Sequence, residues 1–456
     1  MLKYLALNNF KVWEKLEIEF GRVTGVFGAN STGKSSLLQW LLLLKQTKAA
    51  TDRGLTLDFG GPDQHVNLGT YRDVVHNHDQ ALSVCSLLKW QLPKTLRISN
   101  PEGKRTEVLF SGDDMEIESI ISENDLQLRT ELTYRFSDQS FSLQPKGQSR
   151  TSYKLKPDRS SEGNFHFVRT QGRVWDLPGP VKNYLFPDQA KTYYKNADFL
   201  SAFEFEYESL LDRLFYLGPL REYPKREYRW AGARPEDVGL RGERTIDAIL
   251  AATARDEKRN LGYRTRLRPF QEIIAHWLRE LGLIHSFSIK EIVTGSNLYQ
   301  AWVKQEPKSP EALLTDVGFG VSQVLPALVL LYYVPEGSTI MMEQPEIHLH
   351  PSVQSGLADV MLAAAGSRNL QVIVESHSEH LLRRLQRRVA EGNYRDHFVR
   401  LYFCRSRGSV ASIEDLELNM FGEIENWPDS FFGDELGEIA AIQKAGLMKR
   451  KGESSG

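Results

Sequence analysis

The stretch GANSTGKSS, residues 28–36, fits the pattern G-x-x-x-x-G-K-[ST], with Gly28, Gly33, Lys34 and Ser35 in the fixed places. A phosphate cradle needs those residue types. Glycines let successive backbone N–H groups, here those of the loop residues Asn30, Ser31 and Thr32, close around phosphate oxygens, and a helix start adds partial positive charge. Lys34 is placed to reach the terminal phosphates, Ser35 to ligate magnesium, and Ser36 to complete the cradle, so the expected ligands are ATP and Mg2+. The context agrees. GRVTGVFG (21–28) is a mostly apolar run that reads as a buried strand, and SSLLQWLLLLK reads as a helix beginning near Lys34. Lys34 itself is expected to face solvent from the loop.

Outward from that loop, 456 residues exceed one ordinary core, so two or three lobes are expected. Hydrophobic content of 41% and charged content of 25% are those of a soluble globular protein, and a net charge of -2 excludes a globally basic nucleic-acid binder. Cys85 and Cys404 stand far apart, which gives neither a disulfide framework nor a zinc knuckle and fits a reduced, cytoplasmic protein. The longest apolar runs, VLPALVLLYYV (324–334) and LLQWLLLL (37–44), are shorter than the ~20 residues of a bilayer span, so no membrane role is expected.

Five regions follow from the patterning. Residues 1–84 carry two short strands around a polar turn (4–20), the buried strand and the phosphate loop. Residues 85–195 alternate polar and apolar positions between Gly, Asp, Asn and Pro, as in LQLRTELTYRFSDQSFSLQP, the pattern of antiparallel hairpins and hence a β-rich insertion. Residues 196–300 turn helical, with FLSAFEFEYESLLDRLFYL and FQEIIAHWLRELGL spaced by three and four, too short for a long coiled-coil arm. Residues 301–415 alternate strands and helices, the signal for a layered βα core, and 416–456 form an extension ending in a frayed tail, MKRKGESSG.

The opening LALNNFKVWEKLEIEFGRVTGVFGANSTGKSSLL resembles the start of the SMC, RecF and OLD-type ABC ATPases. In those proteins a first strand, an Asn-Phe-Lys turn and a short hairpin precede the phosphate loop. DVGFGVSQVLPAL (316–328), MMEQPEIHLHP (341–351) and VIVESHSEHLL (372–382) follow in the family's order as signature, Walker B strand and switch histidine. With YLGPLREYPKREYRW (216–230) and ENWPDSFFGDELGEI (425–439), the resemblance covers nearly the whole chain. It is closest to compact bacterial AAA/ABC-like ATPases that lack coiled coils and often accompany anti-phage nucleases. The implied fold is an α/β ABC-type ATPase head with an N-terminal β lobe, β-rich and helical insertions, and a C-terminal βα lobe.

The resemblance also assigns roles. Gly318, Gly320 and Ser322 stand where the family offers amides and a serine to the γ-phosphate held by the opposite subunit, although the segment is not Leu-Ser-Gly-Gly-Gln. Glu343 stands in place of the magnesium-linked aspartate, and Gln344 in place of the catalytic glutamate. A carboxamide can position water but cannot accept its proton, whereas Glu346, beyond the strand-ending Pro345, could restore a base. His377, after the strand QVIVES, is the implied switch residue that senses the γ-phosphate or the attacking water. His348 and His350 read as turn residues, and Gln64 as a candidate magnesium-contacting glutamine. HNHD (76–79) spells the name of a nuclease motif but is read as a loop, because the residues of such a site are dispersed over a ββα unit.

Two basic stretches, 221–244 and 381–407, could contact a nucleic-acid backbone or form solvated, salt-bridged faces. Only about 79 residues follow His377, too few for the TOPRIM nuclease fused there in OLD-type relatives. The expected function is therefore a slowly hydrolysing, nucleotide-gated homodimer or higher homo-oligomer. It would regulate a separately encoded effector, of nuclease class, in anti-phage defence, with DNA as a possible further partner. A RecF-like repair ATPase and a nucleotide-locked scaffold with negligible turnover are the alternatives.

Overall fold

The structure, a computed structural model, describes residues 1–62, 64–99, 107–147, 152–157, 165–170, 175–262, 265–392, 394 and 397–428. The expected frayed tail and most of the 425–439 motif lie outside the described residues.

The chain opens with β1 (Leu2–Phe10) and β2 (Trp13–Glu19), paired from Phe10↔Trp13 to Tyr4↔Glu19, then β3 (Val23–Gly28) and α1 (Lys34–Ala49). After the single-turn α2 (Tyr71–Val74) come β4 (Val84–Ser99), β5 (Val108–Asn124), β6 (Gln127–Phe136), β7 (Gln139–Pro145) and β8 (Tyr153–Pro157). These join the first hairpin in one antiparallel sheet of order β2-β1-β4-β5-β6-β7-β8, so the hairpins read from the sequence extend the N-terminal sheet. Between β5 and β6 the two-residue turn Asp125-Leu126 has positive φ at both positions, the backbone hand that matches the strand twist in a tight hairpin.

The span 196–300 is less helical than its spacing suggests. After α3 (Asp188–Tyr193) and α4 (Leu200–Asp212), the run LFYL forms a strand, β9 (Leu214–Leu217). Four residues buried on both faces leave no alternation by which to tell a strand from the end of a buried helix. Next come β10 (Tyr228–Arg229), α5 (Thr245–Ala254), β11 (Lys258–Arg259), β12 (Arg268–Pro269), α6 (Phe270–Glu280), β13 (Ser286–Glu291), β14 (Leu298–Lys304) and β15 (Ala312–Leu313). The last third holds α7 (Phe319–Tyr333), β16 (Thr339–Glu343), α8 (Pro351–Ser367), β17 (Gln371–Glu375), α9 (Glu379–Ala390), β18 (Val399–Arg407) and β19 (Val410–Asp415).

The core sheet has the order β19-β18-β3-β17-β16-β9, parallel except for the β18–β19 hairpin. β3, β16 and β17 are buried at every position, as parallel strands covered on both faces must be. Side chains alternate between two hydrophobic clusters. Val26, Met341, Ile373 and Tyr216 join the cluster that holds α1, α4 and the antiparallel sheet. Val23, Phe27, Ile340, Met342, Val372 and Val374 join the one built on α5 to α9. Among the described residues no helix is long and apolar enough to cross a membrane.

Candidate active site

Period-two alternation decides which strand-end side chains meet. Glu343 ends β16 and shares its face with Met341; Glu375 ends β17 and shares its face with Ile373. Both carboxylates therefore point to the α1 side, and the parallel register sets them directly opposite each other. Ser35, in the first turn of α1, donates its Oγ to Glu375 Oε1 at 3.0 Å. On the far flank the hydroxyl of Tyr216, on β9, donates to Glu343 Oε1 at 2.8 Å. Burial raises the Glu343 carboxyl, against the hydrogen bonds from Tyr216 and Ser35 and the charges of Arg221 and Lys34. Glu375 is pushed up to about 7, first by burial and then by the charge of Glu343.

The loop from β3 into α1 turns at Gly28 (φ 141), Ser31 (φ 61) and Gly33 (φ 90). A Cβ on Gly28 would lie 2.4 Å from the Cys404 carbonyl of β18, and one on Gly33 would strike Val12 at 2.6 Å, so both places admit only glycine. Trp13, from the β1–β2 turn, donates its indole N–H to the Gly33 carbonyl at 3.2 Å. The Asn-Phe-Lys-Val-Trp turn thus clamps the loop. Thr32 Oγ1 bonds the Ala29 carbonyl, Ser36 N the Gly33 carbonyl, and Asn30 and Ser31 are exposed at the tip. Lys34 is not solvent-facing as expected. It is 3% exposed, the first residue of α1, and its Nζ folds back onto the carbonyls of Gly28 at 3.1 Å and Ala29 at 2.6 Å. Its pKa is lowered by burial, which the nearby carboxylates oppose.

Beyond Glu343 the backbone leaves the strand at half-buried Gln344, whose φ of 44 is unusual for a residue with a Cβ. Its N–H is held by the Glu375 carbonyl at 2.8 Å. That turn sends Glu346 back into the site. Glu346 Oε1 accepts from Ser376 Oγ at 2.6 Å and from the His377 N–H at 2.8 Å, while Oε2 is buried without a hydrogen-bond partner among the described residues. The His377 ring lies against the Gly28 carbonyl; burial lowers its pKa, the Lys34 charge adds to that, and the Gly28 contact opposes it. His350 caps α8 by accepting from the Ser352 N–H, as a turn residue should, and His348 is exposed.

Other expected residues lie elsewhere. Gly318 and Gly320 open α7, the first exposed with nothing within 4 Å of a Cβ, the second near Leu283 and Leu349. Ser322 is 8% exposed, so its side chain is less available to a second chain than the two glycine positions. Gln64 is exposed, its N–H bonded to the Gly61 carbonyl, and His76 and His78 hold backbone carbonyls of Lys11 and Arg72 in a loop. On α9, Arg383 pairs with Glu379, Arg384 and Arg388 with Asp359, and Arg387 with Glu391, which leaves little free positive charge for a nucleic acid.

Residues 125–383, more than half of the chain, match the protein family described as "AAA domain, putative AbiEii toxin, Type IV TA system". The chain belongs to this AAA-domain family. Residues 397–442 of the AAA chain also match DUF3696, a family of unknown function. No curated protein matches it. Solved structures similar to it include the SMC head domain from Thermotoga maritima, at 13% identity over 91% of this chain and 99% of that one, with a TM-score of 0.42. Two others are an Smc head bound to the C-terminal winged-helix domain of ScpA and an Smc head with an extended coiled coil bound to a ScpA domain derived from Pyrococcus furiosus. Each shows 12% identity over 91% of this chain, 98% and 96% of the other, and a TM-score of 0.42. Likeness at that level places no residue. The family match supports the expected SMC/RecF-like ABC-type ATPase, and the mixed α/β layers are those of the expected head.

The AAA chain's site suits a phosphate with a divalent cation. Glu343, Glu346 and Glu375 are buried around Lys34 and Arg221, and among the described residues Glu346 Oε2 and Glu375 Oε2 have no hydrogen-bond partner. Burial raises all three carboxyls, and a bound cation would stabilise their ionised forms and supply the missing partners. Among the described residues no three His, Cys, Asp or Glu side chains form a metal cage by themselves, so Ser35, water and phosphate oxygens would complete the coordination. Glu375, Tyr216, Trp13 and Arg221 were not singled out from the sequence. Glu375 carried a signal, a carboxylate ending an apolar strand, but its partner Glu343 is set by register alone.

The Glu375→Gln variant should be more stable than the wild type when metal is absent at pH 8. The folded carboxyl stays protonated up to about pH 7 while the unfolded one ionises near 4.5, so apo stability falls as pH rises between those values. The glutamine retains an acceptor for Ser35 and removes that penalty, on the order of 1–3 kcal/mol. Thermal melts at pH 8 and pH 4 should show a gap at the first and almost none at the second. A variant less stable at both would contradict the assignment.

Proposed function

We propose that the chain is a slow ATPase that binds ATP with Mg2+ and works as a nucleotide-gated dimeric regulator. The observation that supports this most is the turn after β16, which bends at Gln344, the residue that the resemblance sets in place of a catalytic carboxylate, and turns Glu346 back beside His377 and the phosphate loop. Backbone amides of Gly28 to Ser36 hold the phosphates, Lys34 swings from its carbonyls to the terminal phosphate, and Ser35, Glu343 and Glu375 orient the cation. The cation, when bound, neutralises phosphate charge. Glu346 takes the proton of the attacking water at Oε2, and His377, joined to Glu346 through its backbone N–H, carries the change toward α9. The amides at Gly318 and Gly320 close on the nucleotide of a facing chain.

The output is a separately encoded effector of nuclease class in anti-phage defence, in the cytoplasm. The family description names a putative toxin of a Type IV TA system and no effector, so the effector is the part of this reading that rests on the sequence resemblance alone. The ion-paired arginines of α9 give a DNA-repair reading less support, whereas Gln344 gives a nucleotide-locked scaffold some.

Mixing two inactive chains tests the dimer. A carboxylate at position 318 meets open space and suits a helix start, so Gly318→Glu should fold yet repel a phosphate offered by a second chain. Lys34→Ala and Gly318→Glu chains should each be inactive alone. Mixed equally they should recover about a quarter of wild-type turnover, because half the dimers carry one intact site of two. No recovery, or full activity of Gly318→Glu alone, would remove the proposal that the site is completed in trans.

A further inference from the structure

Arg221 is 8% exposed, and its Nε and both Nη atoms are buried without a hydrogen-bond partner among the described residues. A guanidinium carries five N–H donors, and an unpaired buried charge is among the costliest features a fold can hold. Here it follows β9, four residues after the last strand position, beside Tyr216, Glu343 and Glu346. Those carboxylates are near enough to act on it through charge, yet none accepts from it: Glu343 Oε1 is bonded by Tyr216, Glu346 Oε1 by Ser376 and His377, and Glu346 Oε2 is itself unpartnered. A cation and a carboxylate oxygen both unpaired at the strand ends flank a place for a group that neither supplies.

The segment bearing Arg221 is fixed at both ends. Gly218 N–H bonds the Leu240 carbonyl at 2.9 Å, and Glu222 N–H bonds the Arg241 carbonyl at 2.9 Å. Arg226 pairs with Asp316 just before α7, and Gly242 packs on Pro326 within α7 so closely that a Cβ there would lie 2.6 Å from the ring. Arg221 therefore sits on a strap anchored to the helix whose N-terminus carries Gly318 and Gly320.

We propose that Arg221 binds the terminal phosphate of the nucleotide held by the phosphate loop of its own chain, and through its strap reports that phosphate to α7. This rests on the nucleotide-binding reading of the site and deepens it, by naming the residue that tells a nucleoside triphosphate from a diphosphate. A planar guanidinium suits two oxygens of one phosphate, which supplies the acceptors that the protein lacks.

The test compares ATP and ADP, each with Mg2+, by calorimetry on the wild type, Arg221→Met and Arg221→Lys, with thermal melts of the nucleotide-free proteins. Arg221→Met should lose about 10- to 100-fold in ATP affinity, the worth of a charged hydrogen-bonded pair, with ADP affinity unchanged. Arg221→Lys should fall between. The free Arg221→Met protein should melt higher than the wild type, because an unpaired buried charge has been replaced by an apolar chain. The proposal is overturned by equal losses for ATP and ADP, by unchanged ATP affinity with lower turnover, which would make Arg221 a positioning residue for Glu346, or by a lower melting temperature of the free variant. A wild type that binds neither nucleotide would instead overturn the nucleotide-binding reading beneath it.

Discussion

Glu346→Gln is expected to lower ATP turnover by about 10²- to 10⁴-fold, the usual cost of a lost general base, with ATP affinity preserved. The substitution is a clean one. Glu346 Oε1 is fixed by Ser376 Oγ and the His377 N–H, and a glutamine oxygen can accept both bonds, so the turn stays in place while the unpartnered Oε2 becomes an NH2 group. Burial raises the Glu346 carboxyl, which hydrogen bonds led by that of Ser376 oppose, so this group holds a proton more readily than an exposed carboxylate does. Gln344→Glu supplies the complementary measurement. If the native glutamine is what keeps hydrolysis slow, turnover rises in that variant and becomes less sensitive to Glu346→Gln. Fast wild-type turnover that survives Glu346→Gln would remove Glu346 as the base and leave it as an anchor of the 376–378 turn.

Lys34→Ala is expected to reduce ATP affinity by about 100-fold or more, as loss of a charged contact to terminal phosphates should. The reason it should still fold differs from the one the loop sequence suggests. Lys34 is buried, and its ammonium donates to the carbonyls of Gly28 and Ala29, so alanine removes two hydrogen bonds together with a desolvated charge. Those terms oppose each other, and the net stability change should stay within about 1–2 kcal/mol. Calorimetry with ATP and Mg2+, beside a thermal melt, separates the two quantities. Wild-type affinity in the variant would take the phosphate-loop assignment away.

The phosphate loop was legible because its chemistry is local. Gly28 and Gly33 must be glycine, Lys34 and Ser35 must follow directly, and a buried strand and a helix must flank them; all of this is written in nine consecutive residues. The turn after Glu343 was legible for the same reason, since Pro345 ends the strand wherever that strand lies. β9 was not, because four residues buried on both faces carry no period and continue the apolar spacing of α4.

By itself the sequence determined the glycine-lysine-serine loop between a strand and a helix, the alternation of β and α elements in the last third, and the break after Glu343. Only the tertiary structure decided that Glu375 stands beside Glu343, that Tyr216 and Arg221 reach the same strand ends, and that Arg384 and Arg388 of α9 are spent on Asp359 of α8. The division has one physical cause. Loop conformation, strand breaking and the ion pairs within α9 depend on neighbours in the chain, whereas strand register, sheet order and the pairing of α9 with Asp359 depend on residues brought together from 25 to more than 300 positions away.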